Sequence, residues 1–244
     1  KPVSNRLQLS LIADSGAGRA LAPVRGPSGN YSFHSIAGMK AYEDVDLKIP
    51  PTPPRRFLLV VADELRRYLP IAVMVALPRQ EPLLEVLLFG TAKYEAPARW
   101  AVLRGRAADV WKIVGGVRDP ASAPASWARI GIHIAGEPTD HVTICDARGE
   151  FQACFPFPRD YDPAAPPAMT IDARYFGASQ RPVPGYPQPE FTSLMTQPKA
   201  KVVTAFPVAG PLVLVDALQL PLTQDDFIRV GSGANDALWV VPSP

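Results

Sequence analysis

Apolar and polar residues alternate along most of this chain, which is the pattern of strands that bury one face. Residues 6–14 (RLQLSLIAD) carry leucine at every second position, and residues 128–136 (ARIGIHIAG) do the same with isoleucine. Residues 83–89 (LLEVLLF) fit either a strand or two helical turns, and their short length and flanking Pro82 and Gly90 favour a strand. Further strands are predicted at 30–33, 57–62, 69–77, 100–109, 141–145, 150–157, 168–176 and in four segments after residue 200.

Proline is unusually frequent, with 29 among 244 residues, and it is spread along the whole chain. Because helix interiors reject proline, we expect many short strands joined by turns, with short helices only at 36–43 and 190–196. The apolar pattern ends in small, polar and proline residues at 90–99, which predicts a domain boundary. The sequence therefore predicts an all-β fold of two tandem β-sandwiches, at 1–92 and 93–244, the second with long proline-rich loops and the C-terminal strands.

Composition and charge narrow the classes of function. Hydrophobic residues make up 47% and charged residues 20%, which is enough to form a buried core. The net charge is +2 and no Lys/Arg run exceeds two residues, so neither a nucleic-acid stripe nor a basic membrane-surface helix is expected. No apolar stretch reaches the ~18–20 residues of a membrane span. No signal peptide heads the sequence, but it begins at Lys1, which leaves a removed leader open.

The two cysteines flank the turn of a predicted hairpin. Cys145 lies before the turn at 146–149, and Cys154 is expected to pair near His141, so the sulfurs would share a face but lie too far apart for a disulfide. We expect free thiols, which fit a reducing compartment such as the bacterial cytoplasm.

Residues 28–33 and 148–153 are an internal repeat. In each, the second residue is a turn glycine, and a polar residue, an inward aromatic residue, a polar residue and an inward apolar residue follow it. His34 follows the first copy, and because a strand rather than a helix follows its glycine, we interpret this histidine as a bystander at a strand end. The residues of this structural turn and core motif are Gly29, Tyr31, Phe33, Asp146, Gly149 and Phe151.

Metal-binding residues are few. His133 and His141 are predicted on one outward face of the hairpin, but their spacing to Cys145 or Cys154 matches no zinc motif. The loop at 158–163 offers only two carboxylates for calcium. The sequence therefore predicts neither a metal site nor a cofactor.

Catalytic residues are also few. The chain has no G-x-S-x-G segment, and its close carboxylate pairs, Asp160 with Asp162 and Asp225 with Asp226, lie beside turn residues. Aspartate in turns usually bonds its own backbone rather than a substrate. We therefore expect no enzyme activity.

The four tryptophans permit two interpretations. Each lies in or beside an apolar strand, which favours packing in the core or in an interface. If exposed, they would instead form a platform for carbohydrate. They are Trp100, Trp111, Trp127 and Trp239.

The segment from 102 to 158 resembles the carboxypeptidase-regulatory-like (transthyretin-like) β-sandwich family. The resemblance rests on a first strand ending in Gly-Arg-x-x-Asp, a threonine-containing strand and an Asp-x-x-Gly-x-Phe turn. The first copy matches more loosely through Gly29, Tyr31, Phe33 and Gly38. This resemblance implies a fold and no reaction. The matching residues of the second copy are Gly105, Arg106, Asp109, Thr143, Asp146, Gly149 and Phe151.

A second resemblance concerns a D-x-x-x-R-x-L-P element, formed by Asp63, Arg67, Leu69 and Pro70. Tandem sandwiches with this element are similar to accessory proteins encoded with phage-tail-like contractile injection systems. That family usually has glycine directly before the arginine, where this chain has Arg66. The resemblance implies a structural component of a particle.

The sequence leads to two alternative hypotheses for the protein's function, which belong to different classes. The first is a non-enzymatic assembly component, homo-oligomeric or docked on a multimeric particle, whose partners are other protein subunits. The alternative is an adhesin-like module that binds glycans or a cell surface through the loops at 158–167 and 177–190. No nucleic-acid partner and no membrane span are expected in either case.

Overall fold

The fold is all-β. A computed structural model describes residues 7–13, 20–39, 53–79, 83–109, 113–114, 117–118, 123–177, 190–205, 213–224, 228–230 and 237–242. The strands of the first part are β1 (Leu7–Ala13), β2 (Val24–Arg25), β3 (Tyr31–Ser32), β4 (Arg55–Asp63) and β5 (Ile71–Leu77).

After residue 99 the chain contributes twelve more strands and one short helix to the part that the structure describes. They are β6 (Trp100–Asp109), β7 (Ile113–Val114), β8 (Val117–Arg118), β9 (Arg129–Ile134), β10 (His141–Ile144), β11 (Glu150–Pro156), β12 (Ala168–Arg174), α1 (Phe191–Met195), β13 (Lys199–Ala205), β14 (Val213–Val215), β15 (Leu218–Pro221), β16 (Ile228–Val230) and β17 (Leu238–Val241).

The small sheet is antiparallel and has the order β1-β4-β5. The alternation in β1 places Leu11 against the sheet's core, where it meets Phe57, Leu59 and Val61 of β4. Leu9 also packs on this core but stays half-buried. We call this cluster the small core. β2 and β3 form a separate two-stranded ribbon, and so do β7 and β8.

The main sheet has ten strands, seven of them in the order β10-β9-β12-β13-β17-β6-β11. β14 pairs with β13, β15 with β12 and β16 with β6. The pairs that β16 and β17 form with β6 are parallel, and the other pairs of the main sheet are antiparallel.

The main core lies on the inner face of the main sheet. Ile130, Ile132 and Ile134 of β9 are at most 1% exposed, as their alternation predicts, whereas His133 between them is exposed. Phe151 and Phe155 of β11 reach the same core. The main core therefore receives side chains from β11, at one end of the strand order, and from β9, next to the other end.

The predicted hairpin at 141–156 is wrong in its pairing, although its turn exists. β10 pairs with β9 and β11 pairs with β6, so the two strands lie at opposite ends of the strand order. The turn at 146–149 joins these ends, and the Thr143 hydroxyl donates to the Gln152 carbonyl over 2.7 Å. Alternation identifies a strand's buried face but not its hydrogen-bonding neighbour, which explains the error.

Two further local predictions differ from the structure. Residues 83–89 form no strand, although Phe89 is buried and the next residue, Gly90, makes an isolated bridge with Tyr68. The segment at 36–39 contains a turn rather than a helix, and the rest of that predicted helix lies outside the described residues. The helix predicted at 190–196 is present as α1.

α1 brings the two parts of the chain into contact. Burial alone would raise the pKa of Glu190, but hydrogen bonds from the backbone N–H groups of Thr192 and Ser193 hold it below its usual value, as expected at a helix N-cap. Glu190 also makes an isolated bridge with Ala72 of β5. The strands before and after residue 92 belong to different sheets. The domain boundary and the number of sandwiches stay predictions. Among the described residues, no helix is long and apolar enough to span a membrane.

Candidate functional site

The turn that joins β10 to β11 is closed by Asp146. Its Oδ1 accepts hydrogen bonds from the backbone N–H groups of Arg148, over 2.8 Å, and Glu150, over 2.9 Å. Gly149 has a φ of 77°, a left-handed conformation that L-residues with a side chain adopt at a cost. Asp146 and Gly149 therefore act as backbone determinants of the turn.

Phe151, the aromatic residue that follows this turn, packs on Gly105 of β6, the glycine of the Gly-Arg-x-x-Asp pattern. Phe151 pairs with Gly105 across β11 and β6, and a Cβ placed on Gly105 would lie only 2.5 Å from the ring's Cζ. Phe151 is buried in the main core. The motif thus joins strands that are distant in sequence.

The first copy of the repeat lies in the ribbon of β2 and β3. Gly29 has a φ of 85° in the turn between these strands, and Tyr31 is half-buried beside it. Phe33 packs against the small core, whereas His34 is exposed. The Asx turn of the second copy has no counterpart here, because position 26 is glycine.

The D-x-x-x-R-x-L-P element forms a structured loop between β4 and β5. Both carboxylate oxygens of the buried Asp63 side chain accept from Arg67, whose backbone N–H, Nε and Nη2 each donate over 2.8 Å. These side-chain hydrogen bonds from Arg67 lower the pKa of Asp63. Arg66 has a φ of 56°, in the left-handed region that glycine adopts freely.

The same loop is tied to the segment that follows residue 83. Leu69 N–H donates to the Phe89 carbonyl over 2.8 Å, and Thr91 N–H donates to the Arg67 carbonyl over 2.8 Å. Leu69 and Phe89 are buried with Ile144 of β10 and Leu194 of α1 in one apolar cluster, which we call the seam cluster. The element therefore connects the small sheet to the main sheet.

A half-open cavity of about 260 Å³ lies at this seam, and we call it the seam cavity. Tyr68, Tyr94 and Trp100 line one part of it. His141 of β10 and Cys154 of β11 line another part. No sequence signal identified this site, because its walls come from five separate segments that only the folded chain brings together.

Hydrogen bonds from Gln152 organise the floor of the seam cavity. Its Oε1 accepts from Arg104 Nε over 2.7 Å, and its Nε2 donates to the Tyr94 carbonyl over 2.8 Å and lies 3.3 Å from Cys154 Sγ. The rings of Tyr68 and Tyr94 are tilted with centroids 5.4 Å apart. Gln152 is buried, so this network keeps its amide group satisfied.

Burial disfavours the charged forms of three side chains that line the cavity, namely His141, Cys154 and Tyr68. Burial lowers the pKa of His141 and raises that of Cys154. Burial also raises the pKa of Tyr68, and Tyr94 adds to this effect. Arg67 approaches the Tyr68 ring to 5.7 Å but is bound to Asp63.

The predicted common face of the two histidines is wrong. His141 pairs with Ile132, so it lies on the inner side and stacks on Phe155 at 4.7 Å. His133 points to solvent, 2.9 Å from Asp140 Oδ1. Within the described residues, no group of three or more His, Cys, Asp or Glu side chains could hold a metal ion.

The two thiols are free, but the prediction that they share a face is also wrong. Cys145 is fully buried in the main core, where burial raises its pKa well above the usual value. Cys154 alternates with the inward Ala153 and Phe155, so it lines the seam cavity instead. It pairs with Val102 of β6 and not near His141.

The tryptophans divide between the two interpretations. Trp239 is buried and Trp127 packs half-buried on the seam cluster. Trp100 is 39% exposed at the start of β6, next to the seam cavity. Trp111 lies outside the described residues.

The carboxylate pairs show no catalytic geometry in the part that can be described. Asp162 Oδ1 accepts from the Ala164 N–H over 2.8 Å within its own exposed loop, which is a turn interaction. The pair Asp225 and Asp226 lies outside the described residues.

Comparison with known proteins leaves the chain without a match: no family model, no curated protein and no solved structure is similar to it. The two family resemblances stay predictions.

Proposed function

We propose that this protein is a non-enzymatic assembly component that docks on a multimeric particle similar to a phage-tail-like contractile injection system. The observation that carries the proposal is the loop of Asp63 and Arg67. At position 66, where the resembled family usually has glycine, the backbone is left-handed. The backbone conformation therefore agrees with the family's glycine even though this chain carries arginine.

An exposed apolar strand gives a second line of support. β14 pairs only with β13 among the described strands, and Val213 and Leu214 on it are 48% and 44% exposed. Unprotected apolar edge strands are sites where another chain can add a strand. A subunit of a larger assembly would bury these side chains against a neighbour.

Co-sedimentation tests this proposal. A tagged chain expressed from its own locus should sediment with large particles that electron microscopy identifies as tail-like. A chain with both Val213→Lys and Leu214→Lys should leave the particle fraction, because charges on the edge oppose strand addition. Val24→Lys, on the exposed ribbon strand β2, is the matched control and should stay with the particles. A parent chain that runs only at the mass of a single chain by mass photometry, and never sediments, would contradict the proposal.

A further inference from the structure

We propose that the seam cavity binds one neutral sugar ring, such as the terminal residue of a glycan. This inference does not rest on the assembly role, and the cavity's lining lies outside β14, the strand proposed to meet a neighbouring subunit. The inference depends on the cavity's size, its lack of charge and the chemistry of its walls.

Size comes first. A volume of about 260 Å³ is at the small end of ligand sites, which usually enclose ~300–1,000 Å³. It suits one ring and not a chain of several. The cavity is open on one side, so a ring at the end of a longer glycan can enter while the rest stays in solvent.

The walls carry no formal charge. None of the residues that line the cavity is Asp, Glu, Lys or Arg. Arg67 is bound to Asp63, and Arg104 is bound to Gln152. The lining itself therefore offers an anionic ligand no cation and a cationic ligand no carboxylate.

Both aromatic rings and polar groups line the cavity. Trp100 supplies an exposed ring at the opening, and Tyr68 and Tyr94 supply two more. The tyrosine hydroxyls and the His141 ring can exchange hydrogen bonds with hydroxyl groups. A sugar offers apolar C–H faces and hydroxyls together, which matches a lining that contains both aromatic rings and polar groups.

Cys154 provides a direct measure of occupancy. The chain has only two cysteines, and Cys145 is fully buried, so alkylation of the folded protein reports the thiol inside the seam cavity. The experiment follows the rate of Cys154 alkylation by iodoacetamide, located by peptide mass spectrometry. The probes are the methyl glycosides of glucose, galactose, mannose and N-acetylglucosamine, with glycerol as the polyol control.

At least one glycoside should slow the alkylation, and this protection should saturate with a dissociation constant of about 1 mM, as expected for a single ring. Glycerol should have no effect. Trp100→Ala should weaken this protection about tenfold, because the stacking face is lost, and Trp100→Phe should restore part of it. Val24→Ala, an exposed apolar truncation on β2, is the control and should leave protection unchanged. Circular dichroism checks that each variant folds.

Two results would overturn the inference. One is an alkylation rate that no glycoside changes, even at concentrations well above the expected dissociation constant of about 1 mM. The other is protection by indole, an apolar probe, without protection by any sugar, which would assign the cavity to an apolar side chain of a protein partner.

Discussion

The small sheet and the main sheet bury their apolar residues in different ways. Among the described residues, the main core contains 23 buried side chains and the small core seven, with eleven more that are only half-buried around the small core. The main core receives side chains from strands near both ends of the strand order, β9 and β11. The small sheet has three strands and depends on segments such as 83–89 and α1 for cover.

This difference indicates where each region obtains its stability. A closed core has little space to relax, so the loss of one side chain leaves a cavity. A core bordered by half-buried side chains can adjust after the same loss. In the small sheet, therefore, the polar loop of Asp63 and Arg67 should carry a larger share of local stability.

The largest effect expected is in the main core. Ile132→Ala removes a side chain that is 1% exposed and should lower the free energy of unfolding by about 4 kcal/mol. Leu11→Ala removes a side chain of equal size from the small core and should cost about 2 kcal/mol. Urea denaturation followed by circular dichroism measures both variants. Equal costs would show that the two cores are equally closed.

The next largest effect on stability is expected in the loop of Asp63 and Arg67. Asp63→Ala removes the acceptor of three hydrogen bonds from Arg67 and should lower the free energy of unfolding by about 2 kcal/mol. Because the folded-state pKa of Asp63 lies below its ordinary value of 3.8, the contribution is complete above pH 3.8 and is lost as the pH falls through the folded-state pKa.

Denaturation of Asp63→Ala and the parent chain between pH 2 and pH 7 tests this pH dependence, and the difference between them should shrink in acid. Glu64→Ala is the control, since the neighbouring Glu64 is exposed and, within the described part of the chain, accepts a hydrogen bond from Gln8. A difference that stays constant down to pH 2, or a Glu64 variant that loses as much stability, would count against the role of the Asp63–Arg67 pair.

The smallest expected effect is a gain in stability at position 66. Arg66→Gly relieves a left-handed residue and should raise the free energy of unfolding by up to about 1 kcal/mol, even though glycine is more flexible when unfolded. Leu65→Gly, one position earlier and not left-handed, should lower it by about 0.5–1 kcal/mol. Thermal denaturation separates the two variants. A loss of stability in Arg66→Gly would mean that the arginine side chain contributes contacts worth more than the backbone strain.

Much of the strand content could be predicted because burial of one face imposes a period of two. β6 spans the predicted 100–109, and β9 buries the three isoleucines that its pattern assigns inward. The short helix was also predicted. Residues 83–89 failed because a run of leucines indicates burial but carries no information on whether a neighbouring strand is available to pair with it.

The seam cavity could not be predicted for a related reason. Tyr68 and Trp100 are ordinary aromatic residues in sequence, and Cys154 was assigned to a face shared with Cys145. Only the pairing of β11 with β6 turns Cys154 away from the main core and toward the tyrosines. A site built between two regions depends on their contact, which local patterns do not encode.

Sequence alone determined the all-β class, the inward faces of the long strands and the turns at Gly29 and Gly149, because each depends on interactions between residues close along the chain. Tertiary structure decided which strands are neighbours, and so it placed β10 and β11 at opposite ends of the strand order while a short turn joins them. It also decided that His141 faces inward and that Trp100 stands at a cavity opening. These outcomes depend on packing between distant segments, where many registers satisfy the same alternation and the complete core selects one of them.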